Sequence, residues 1–288
     1  MTATPLGPIL ADLRSEPSRI WSIVVTVYGD AILPRGGSVG LGTLTRFFEA
    51  LGIGEGAVRT AMSRLAADGW LVRSRVGRSS FYRLADKGRD TFAAATEHIY
   101  NPPALPWSGR FDVAILKPNG ERDPARASLQ AAGYGTPSPG LWIAPHGAAL
   151  PADVAEHALR LSASTDDPTA AQLAATAWPL GSTAERYRRF IALFGPLAAA
   201  LDAEALSEID GFVLRILLIH AYRRVILRDP ILPPALLPPD WPGGEARRLC
   251  ARIYQAVLGP SEAWLDENGS CEGGRLPAAE ASLARRFR

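Results

Sequence analysis

The sequence predicts an α+β protein of three parts, and three patterns along the chain indicate it. An amphipathic helix between Gly54 and Asp68 is followed at once by two short segments in which apolar and polar residues alternate. Strand-like and helix-like segments then alternate over residues 110–178. From Ser182 onward the chain is mainly helical. The 288 residues therefore divide into predicted domains 1–100, 101–180 and 181–288.

The first predicted domain begins with two helices. Residues 1–18 mix prolines and glycine with small polar residues, and we expect a loosely ordered arm there. The apolar run 19–33 is long enough to favour a helix over a strand. A second amphipathic helix is predicted over residues 41–51, and Gly52 and Gly54 bracket a turn after it. This turn leads directly into the helix that starts at Gly54.

The helix after Gly54 has one apolar face, formed by Val58, Ala61, Met62 and Leu65. The opposite face carries only small or hydroxylated residues, with an arginine on each flank. Small side chains let a helix approach base edges closely, while guanidinium groups reach phosphates or pair with guanine. The pattern predicts a DNA-recognition helix, whose contacting residues are Arg59, Thr60, Ser63 and Arg64.

Residues 70–85 predict two antiparallel strands joined by a turn at Gly77-Arg78-Ser79. From position 59 to position 83 the chain has six arginines (59, 64, 73, 75, 78 and 83) and one acid, Asp68, which gives a local charge of +5 in a chain of net charge +2. We expect Arg75 and Arg78 to contact DNA from this hairpin. A solvated arginine face is the alternative for either element alone. Together, two helices, a recognition helix and a basic hairpin predict a winged helix-turn-helix.

The second predicted domain follows a helix at 86–100 and a proline-rich linker at 101–107. Interleaved strands and helices in so short a stretch indicate a ferredoxin-like sandwich. The predicted strands are 110–116, 141–144 and 170–178, and the predicted helices are 123–131 and 151–161. The alanine-rich stretch 170–177 also permits a helix.

The third predicted domain is helical, with helices at 184–201, 206–227 and 245–258. A proline-rich strap, residues 229–244, separates the last two helices. Residues 268–288 show no strong period and are not assigned to an element.

The composition excludes several classes of protein. No run of about 18 apolar residues is present to span a bilayer, and the N-terminus lacks a secretory pattern, so we expect a soluble cytoplasmic protein. Cys250 and Cys271 are too few for a disulfide framework or a metal knuckle. His98, His146 and His157 have no acidic or cysteine partner at metal-ligand spacing. The sequence therefore predicts no metal and no cofactor.

Five stretches, spread over about four fifths of the chain, resemble the PaaX-type transcriptional regulators, the repressors of phenylacetic acid catabolism. They are VTVYGDAILPRGG (25–37), AVRTAMSRLAADGWLVRSRVGRSSFYRL (57–84), IYNPP with the later PWSGR (99–110), GLWIAPHG (140–147) and LLIHAYRRVILRDPILPPALLPPDWPG (217–243). The last is long and unusual, so the resemblance is more specific than a helix-turn-helix alone.

The resemblance implies an N-terminal winged helix, a ferredoxin-like middle domain similar to the small CRISPR-associated endoribonuclease subunit, and a helical C-terminal domain. It also implies a homodimer that binds a palindromic double-stranded DNA operator. An aryl-CoA thioester, in the family phenylacetyl-CoA, is expected to release the operator. A dimer also fits the prediction that one winged helix covers only a half-site.

The predicted effector site lies outside the winged helix, in the C-terminal domain or at its junction with the middle domain, on the helix 212–228 and the proline-rich strap. His220 precedes Arg223 and Arg224 by one turn on an otherwise apolar helix. A buried, hydrogen-bonded histidine and internally paired arginines are one interpretation. The other is an effector pocket in which the arginines bind the phosphates of a CoA-like ligand. The residues assigned to this site are His220, Arg223, Arg224, Arg228 and Trp241.

An enzyme is the competing class of function. The likeness of the middle domain to a nuclease subunit suggests a metal-dependent phosphodiesterase, which needs paired carboxylates to hold Mg²⁺. The sequence offers only Asp112 early in a strand and the loop pair Glu121 and Asp123. No Ser-His-Asp, Walker or HExxH motif is present, so we predict that the chain is not an enzyme. A winged helix used only for protein contacts is disfavoured by the local charge of +5.

Overall fold

The structure is a computed structural model, and the description covers residues 6–15, 19–103, 106–117, 122–201 and 206–288. The chain divides into two compact units. The first comprises Met1–Asn101, Arg188–Leu227 and Gly244–Arg288, and the second comprises Pro102–Tyr187 and Arg228–Gly243. Helices and sheets are both present, which confirms the α+β class. The division into three domains stays a prediction, since the first unit joins the two ends of the chain.

Four helices begin the first unit: α1 (Gly7–Ser15), α2 (Ile20–Val27), α3 (Leu41–Ala50) and α4 (Glu55–Ala67). Helix α2 continues through a π-helical turn, Tyr28–Ile32, and a 3₁₀ turn, Leu33–Arg35. The expectation of a loosely ordered arm is wrong over α1. Leu6 and Ile9, three residues apart, are both buried, and Pro8 suits the first turn of a helix. The other three helices confirm the predicted ones.

A three-stranded antiparallel sheet follows these helices, with strands β1 (Ser38–Gly40), β2 (Leu71–Val76) and β3 (Ser79–Leu84) in the order β1-β3-β2. The pair β2 and β3 confirms the predicted hairpin, and the turn consists of Gly77 and Arg78. Gly77 has φ +59°, a left-handed conformation that glycine adopts without strain. Strand β1 was not predicted, because it has only three residues, the last of which is a glycine, and so short a segment shows no alternation. The predicted helix after the sheet is α5 (Asp86–Tyr100).

The second unit is built on a four-stranded antiparallel sheet in the order β5-β6-β4-β7. Its strands are β4 (Arg110–Leu116), β5 (Gly135–Ser138), β6 (Leu141–Pro145) and β7 (Ala158–Ser164), and its helices are α6 (Arg122–Ala131), α7 (Ala152–Ala155) and α8 (Asp167–Ala177). Phe111 and Ile143 pack against the alanines of α8 in one apolar cluster. Trp142 and Leu129 belong to a second cluster, which includes residues of α6 and α7.

Two predicted elements of this unit are wrong. The helix predicted over residues 151–161 has only four helical residues, because residues 158–164 pair with β4 as a strand. The strand predicted over residues 170–178 is most of α8. The Asp166 carboxylate caps that helix by accepting a hydrogen bond from the Thr169 amide at 2.9 Å. Five alanines then favour the helical conformation.

The remaining α-helices and strands are α9 (Leu180–Ala200), α10 (Glu208–Ile226), α11 (Gly243–Asn268) and a hairpin of β8 (Ser270–Cys271) and β9 (Gly274–Arg275). Two 3₁₀ turns, Pro234–Leu236 and Ala281–Arg285, complete the described elements. Thirteen of the nineteen residues of α10 are buried, so it is the central helix of the first unit. Helix α11 is longer than predicted, and the hairpin was not predicted. No helix in the described residues combines the length and apolar character that a membrane span needs.

Candidate nucleic-acid interface

Helix α4 presents the predicted recognition face to solvent. It begins after Gly54 and buries Val58, Met62 and Leu65, while Ala61 is half-buried. This apolar side packs against α2, α3 and β2. The four residues assigned to DNA, Arg59, Thr60, Ser63 and Arg64, are all exposed. The core contacts of the helix therefore leave these four side chains on one accessible surface.

Two of these residues have partners within α4. The Arg59 guanidinium forms an ion pair with Glu55 one turn earlier, and its Nε donates to Oε1 at 2.9 Å. Both side chains are at least half exposed, and such a surface pair contributes only about 0–1 kcal/mol. The Thr60 hydroxyl donates to the Gly56 carbonyl oxygen at 2.9 Å. Neither interaction is strong enough to prevent the side chain from contacting DNA.

The hairpin carries exposed arginines at the positions assigned to DNA. Arg75 lies opposite Ser80 in the strand pair, and Arg78 lies in the turn. No ion-pair partner is found for Arg64, Arg75 or Arg78 within the described ranges. None of these three guanidinium groups is therefore held by a salt bridge in the part of the chain that is described. Arg73, by contrast, donates to the Ser80 hydroxyl at 2.9 Å.

A groove of about 770 Å³ runs between α4 and the hairpin turn, and it brings Arg59 and Arg78 together. It also contains residues that sequence reasoning missed. Arg46 of α3 is one, and Ser270–Glu272 of the C-terminal hairpin form a further wall. The exposed position of Arg46 on an amphipathic helix was a signal for the first. No local pattern pointed to the second, because it lies about 200 residues away in sequence.

A second groove, of about 830 Å³, lies on the other side of α4. Arg19 and Trp21 at the start of α2 face Thr60 and Arg64 across it. Trp21 is one of the few large apolar side chains left exposed in the described chain. Both flanks of the predicted recognition helix thus carry arginine together with accessible surface.

Two of the predicted effector residues hold α10 against α2. His220 is buried, and its Nδ1 lies 3.0 Å from the Thr26 hydroxyl. Arg223 donates to the same hydroxyl at 2.7 Å and to the Ser22 carbonyl oxygen at 2.8 Å. Burial, with the nearby charges of Arg223 and Arg224, lowers the pKa of His220 to about 3, so the imidazole is neutral at pH 7. The structure therefore gives this pair a helix-packing role.

The other predicted effector residues are divided between the two compact units. Arg224 belongs to the first unit, whereas Arg228 and Trp241 belong to the second. Trp241 packs edge-to-face on Tyr187, with ring centroids 5.9 Å apart. The cavity beside Arg223 measures about 40 Å³, far below the roughly 300 Å³ of a small-molecule pocket. The assignment of these five residues to an effector site stays a prediction.

The carboxylates considered for a nuclease are not arranged as a metal site. The Asp112 carboxylate accepts a hydrogen bond from the Gly147 amide at 2.9 Å. It forms a second hydrogen bond with His146 Nδ1 at 3.1 Å. Burial alone would raise the pKa of Asp112, but these hydrogen bonds and Arg160 lower it. Asp123 is exposed, and Glu121 lies outside the described residues. Where the structure is described, no three His, Cys, Asp or Glu residues are grouped to hold a metal.

Comparison with known proteins assigns the chain to a family. Residues 19–88 match the model of the PaaX-like protein family, and residues 178–267 match that of the PaaX-like protein C-terminal domain. The chain is also 36% identical over 283 residues to the transcriptional repressor PaaX of Escherichia coli strain K12, with 92% of this chain and 89% of that protein covered. The chain belongs to the PaaX family. This membership confirms the resemblance and the prediction that the chain is not an enzyme.

A solved structure shares the fold of much of this PaaX family member. The uncharacterized protein Rv0674 from Mycobacterium tuberculosis aligns with a TM-score of 0.53 and 28% identity, covering 77% of this chain and 89% of that one. The two family models include the region from α2 through β3 and most of the region from α9 to α11. They do not include β4–β7 or the C-terminal hairpin.

Proposed function

We propose that this chain is a transcriptional repressor that binds double-stranded DNA through a winged helix-turn-helix formed by residues 20–84. In this proposal α4 is the recognition helix, and the wing consists of β2, β3 and the turn between them. The observation that carries it is the exposed face of α4 beside a basic hairpin. Arg64, Arg75 and Arg78 lack ion-pair partners in the parts of the chain that are described. Arginines that are not held in a salt bridge are suited to phosphate and guanine contacts.

The arrangement supports a specific mode of binding. The major groove is about 12 Å wide and admits one helix, so α4 enters with Thr60 and Ser63 toward the bases. Arg59 and Arg64 on its flanks then reach bases or phosphates. Arg75 and Arg78 bind the adjacent backbone from the wing, where contacts add affinity without reading sequence.

The direct test of this function is a gel shift with DNA from the promoter region next to the gene, with and without EDTA. We expect a shifted, uncleaved complex in both conditions, because the mechanism uses arginines and no metal. Cleavage that EDTA abolishes would instead support the metal-dependent nuclease. A protein that shifts no duplex under either condition would support the use of the domain for protein contacts alone.

We further propose that the repressor is a homodimer on an inverted-repeat operator. A single α4 covers one half-site, and twofold symmetry places a second copy about one DNA turn, or a multiple, away. Strand β7 supports a contact in the second unit, because it is an edge strand with Leu159 and Leu161 exposed by 56% and 54%. An exposed edge strand of this kind pairs readily with a second copy of itself.

Leu159→Asp together with Leu161→Asp should convert the dimer to a monomer, because paired carboxylates at a twofold contact repel and lose apolar burial. Light scattering at micromolar concentration measures the mass. Leu227→Asp, at an exposed leucine of the first unit, is the control and should remain dimeric. A wild-type monomer whose footprint covers one half-site would contradict the proposal.

The proposed effector is an aryl-CoA, and the family resemblance implies phenylacetyl-CoA. The proposed regulated genes are a phenylacetate catabolic operon. An acyl-CoA needs an apolar wall for the acyl group and cations for its phosphates. In the sequence, residues 212–243 carry aliphatic side chains together with Arg223, Arg224, Arg228 and Trp241, so both kinds of group occur in one stretch of the chain. His220 and Arg223 hold α10 to α2, and α2 packs on α4. A ligand that displaces His220 and Arg223 would therefore also change the position of the recognition helix.

Operator DNA should weaken the binding of phenylacetyl-CoA about 5- to 150-fold, since coupling between two sites of about 1–3 kcal/mol is reciprocal. Isothermal titration into free and operator-saturated protein measures both affinities, with acetyl-CoA as the ligand control. Equal affinity in the two titrations would rule out the coupling. Unchanged binding to Arg223→Ala/Arg224→Ala would remove these two arginines from the site.

A further inference from the structure

The C-terminal hairpin places its tip on one face of the three-stranded sheet. Its two-residue turn consists of Glu272 and Gly273. The Glu272 carboxylate accepts a hydrogen bond from the Ser38 hydroxyl at 2.5 Å and another from the Ser74 hydroxyl at 2.7 Å. Ser38 is in β1 and Ser74 is in β2, the two outer strands of the sheet. One carboxylate therefore joins both outer strands across β3.

The stem of the hairpin is attached to α3. The Ser270 amide donates to the Thr43 hydroxyl at 3.2 Å, and that hydroxyl donates to the Asn268 carbonyl oxygen at 3.0 Å. Arg46 of the same helix donates to the Asn268 side chain at 3.2 Å. The hairpin thus connects α3 to the wing, and a shift of either would break these hydrogen bonds.

The chain beyond the hairpin is fixed to the same unit. The Pro277 carbonyl oxygen accepts a hydrogen bond from the buried Arg35 guanidinium at 3.1 Å. The Glu280 amide donates to the Pro34 carbonyl oxygen at 2.9 Å. Arg286 ends the segment in the core, 2.7 Å from the Asp30 carboxylate. Because the segment is anchored on both sides of the hairpin, Glu272 is held at a defined position.

The position of the hairpin relates it to the proposed DNA-binding surface. Ser270, Cys271 and Glu272 line the same groove as Arg59 of α4 and Arg78 of the wing. Gly40 of β1 lies so close to Ser270 that a side chain there would collide with the Ser270 hydroxyl. The groove thus has a wall formed by a part of the chain outside both matched family regions.

We propose that the C-terminal hairpin is part of the DNA-binding interface, and that Glu272 is a positioning residue that fixes the orientation of the wing relative to α4. This inference rests on the proposed DNA-binding function. Because one carboxylate holds the hydroxyl groups of both outer strands, it restricts the twist of the sheet. Arg75 and Arg78 are thereby kept in the orientation in which they contact the DNA backbone. Without Glu272 the wing samples more orientations, so more conformational entropy is lost when the wing binds DNA and the affinity falls.

Glu272→Ala should weaken operator binding by about as much as Arg78→Ala, because it disables the same wing contacts. Glu272→Gln should bind more tightly than Glu272→Ala, because its amide oxygen accepts from one serine hydroxyl while its NH₂ group donates to the other, and the nearby negative charge is removed. If Glu272 acted only by repelling phosphates, both variants would instead bind more tightly. Ser74→Ala, at the other end of one hydrogen bond, should weaken binding in the same direction as Glu272→Ala.

A double-variant cycle distinguishes positioning of the wing from a general loss of structure. Glu272→Ala combined with Arg78→Ala should weaken binding by clearly less than the product of the two single effects. Combined with Arg64→Ala on α4, the effects should multiply within a factor of about two, since separate contacts are additive. Multiplicative effects in both pairs, or wild-type binding by Glu272→Ala, would overturn the inference.

The same data separate this inference from the proposed function. If Arg64→Ala and Arg78→Ala leave DNA binding unchanged, the proposed function fails. If those two variants weaken binding and Glu272→Ala does not, only the role of the hairpin fails. Circular dichroism of each variant verifies that the comparison is made between folded proteins.

Discussion

Replacement of Asp30 by alanine should lower the free energy of unfolding by about 3–5 kcal/mol, the cost typical of removing one partner from a buried ion pair. Asp30 is 1% exposed and lies 2.5 Å from Arg215 Nε and 2.7 Å from Arg286 Nη1. Its carboxylate also accepts hydrogen bonds from the hydroxyls of Tyr100 and Tyr254. Alanine would leave two nearly buried guanidinium groups without this counter-charge.

The alternatives to Asp30 within the cluster are limited. Arg215 retains an ion pair with Glu262, but Arg286 keeps only neutral partners among the described residues. A buried cation with neutral partners alone is unfavourable, since burial disfavours its charged form. The C-terminal segment that Arg286 anchors should therefore detach first, and the hairpin on the wing would lose one of its attachments.

Urea unfolding followed by circular dichroism measures the change. Asp123→Ala is the matched control, because that carboxylate is 96% exposed and lies 3.9 Å from Arg126. Its effect should remain within about 0.5 kcal/mol. Asp30→Asn separates charge from shape, since it keeps the size of the side chain. A loss below about 1 kcal/mol for Asp30→Ala would show that the cluster is not a main source of stability.

The elements that the sequence predicted well are those whose pattern is local. The apolar stripe of α4 at Val58, Met62 and Leu65, and the alternation in β2 and β3, each follow from the geometry of one element. Two elements were predicted with the wrong type: part of strand β7 as a helix, and most of helix α8 as a strand. A short stretch can fit both the helical period and the strand period. Pairing with β4 makes residues 158–164 a strand, and the Asp166 cap favours a helix in α8.

The candidate site shows the same limit. Arg59, Arg64, Arg75 and Arg78 are exposed, and that exposure follows from patterns within about 25 residues of sequence. The contact of Glu272 with Ser38 spans 234 residues, so no local pattern contains it. His220 illustrates the converse, because a polar residue on an apolar helix is compatible with a pocket or with a buried hydrogen bond. Its partner Thr26 lies 194 residues away, and only the fold identifies it.

The four arginines assigned to DNA should have separable effects when each is replaced by alanine. Arg78→Ala and Arg75→Ala should weaken binding to all sequences and reduce the slope of log affinity against log salt by about one unit each. This follows because contacts from a wing to phosphates release counterions but carry no base information. Fluorescence anisotropy at several salt concentrations, on operator and on unrelated duplex, measures both quantities.

The two arginines of α4 should instead affect specificity. Arg64→Ala should cost about 1–3 kcal/mol on the operator and relax the preference at one base pair, the effect of losing a bidentate guanine contact. Arg59→Ala should cost somewhat less, because Arg59 must first leave its surface ion pair with Glu55. Glu55→Ala releases that arginine and should strengthen binding to all duplexes. A panel of operators with single base-pair changes identifies the position that each residue contacts.

Arg126→Ala is the control for charge, because this exposed arginine belongs to the second unit and its only ion pair is a long one among the described residues. It should bind operator with wild-type affinity and an unchanged salt slope. Wild-type affinity in all four variants at positions 59, 64, 75 and 78 would contradict the assignment of α4 and the wing to DNA. Loss of affinity with an unchanged salt slope for Arg78→Ala would place that arginine away from phosphate, because each phosphate contact contributes about 0.9 to the slope.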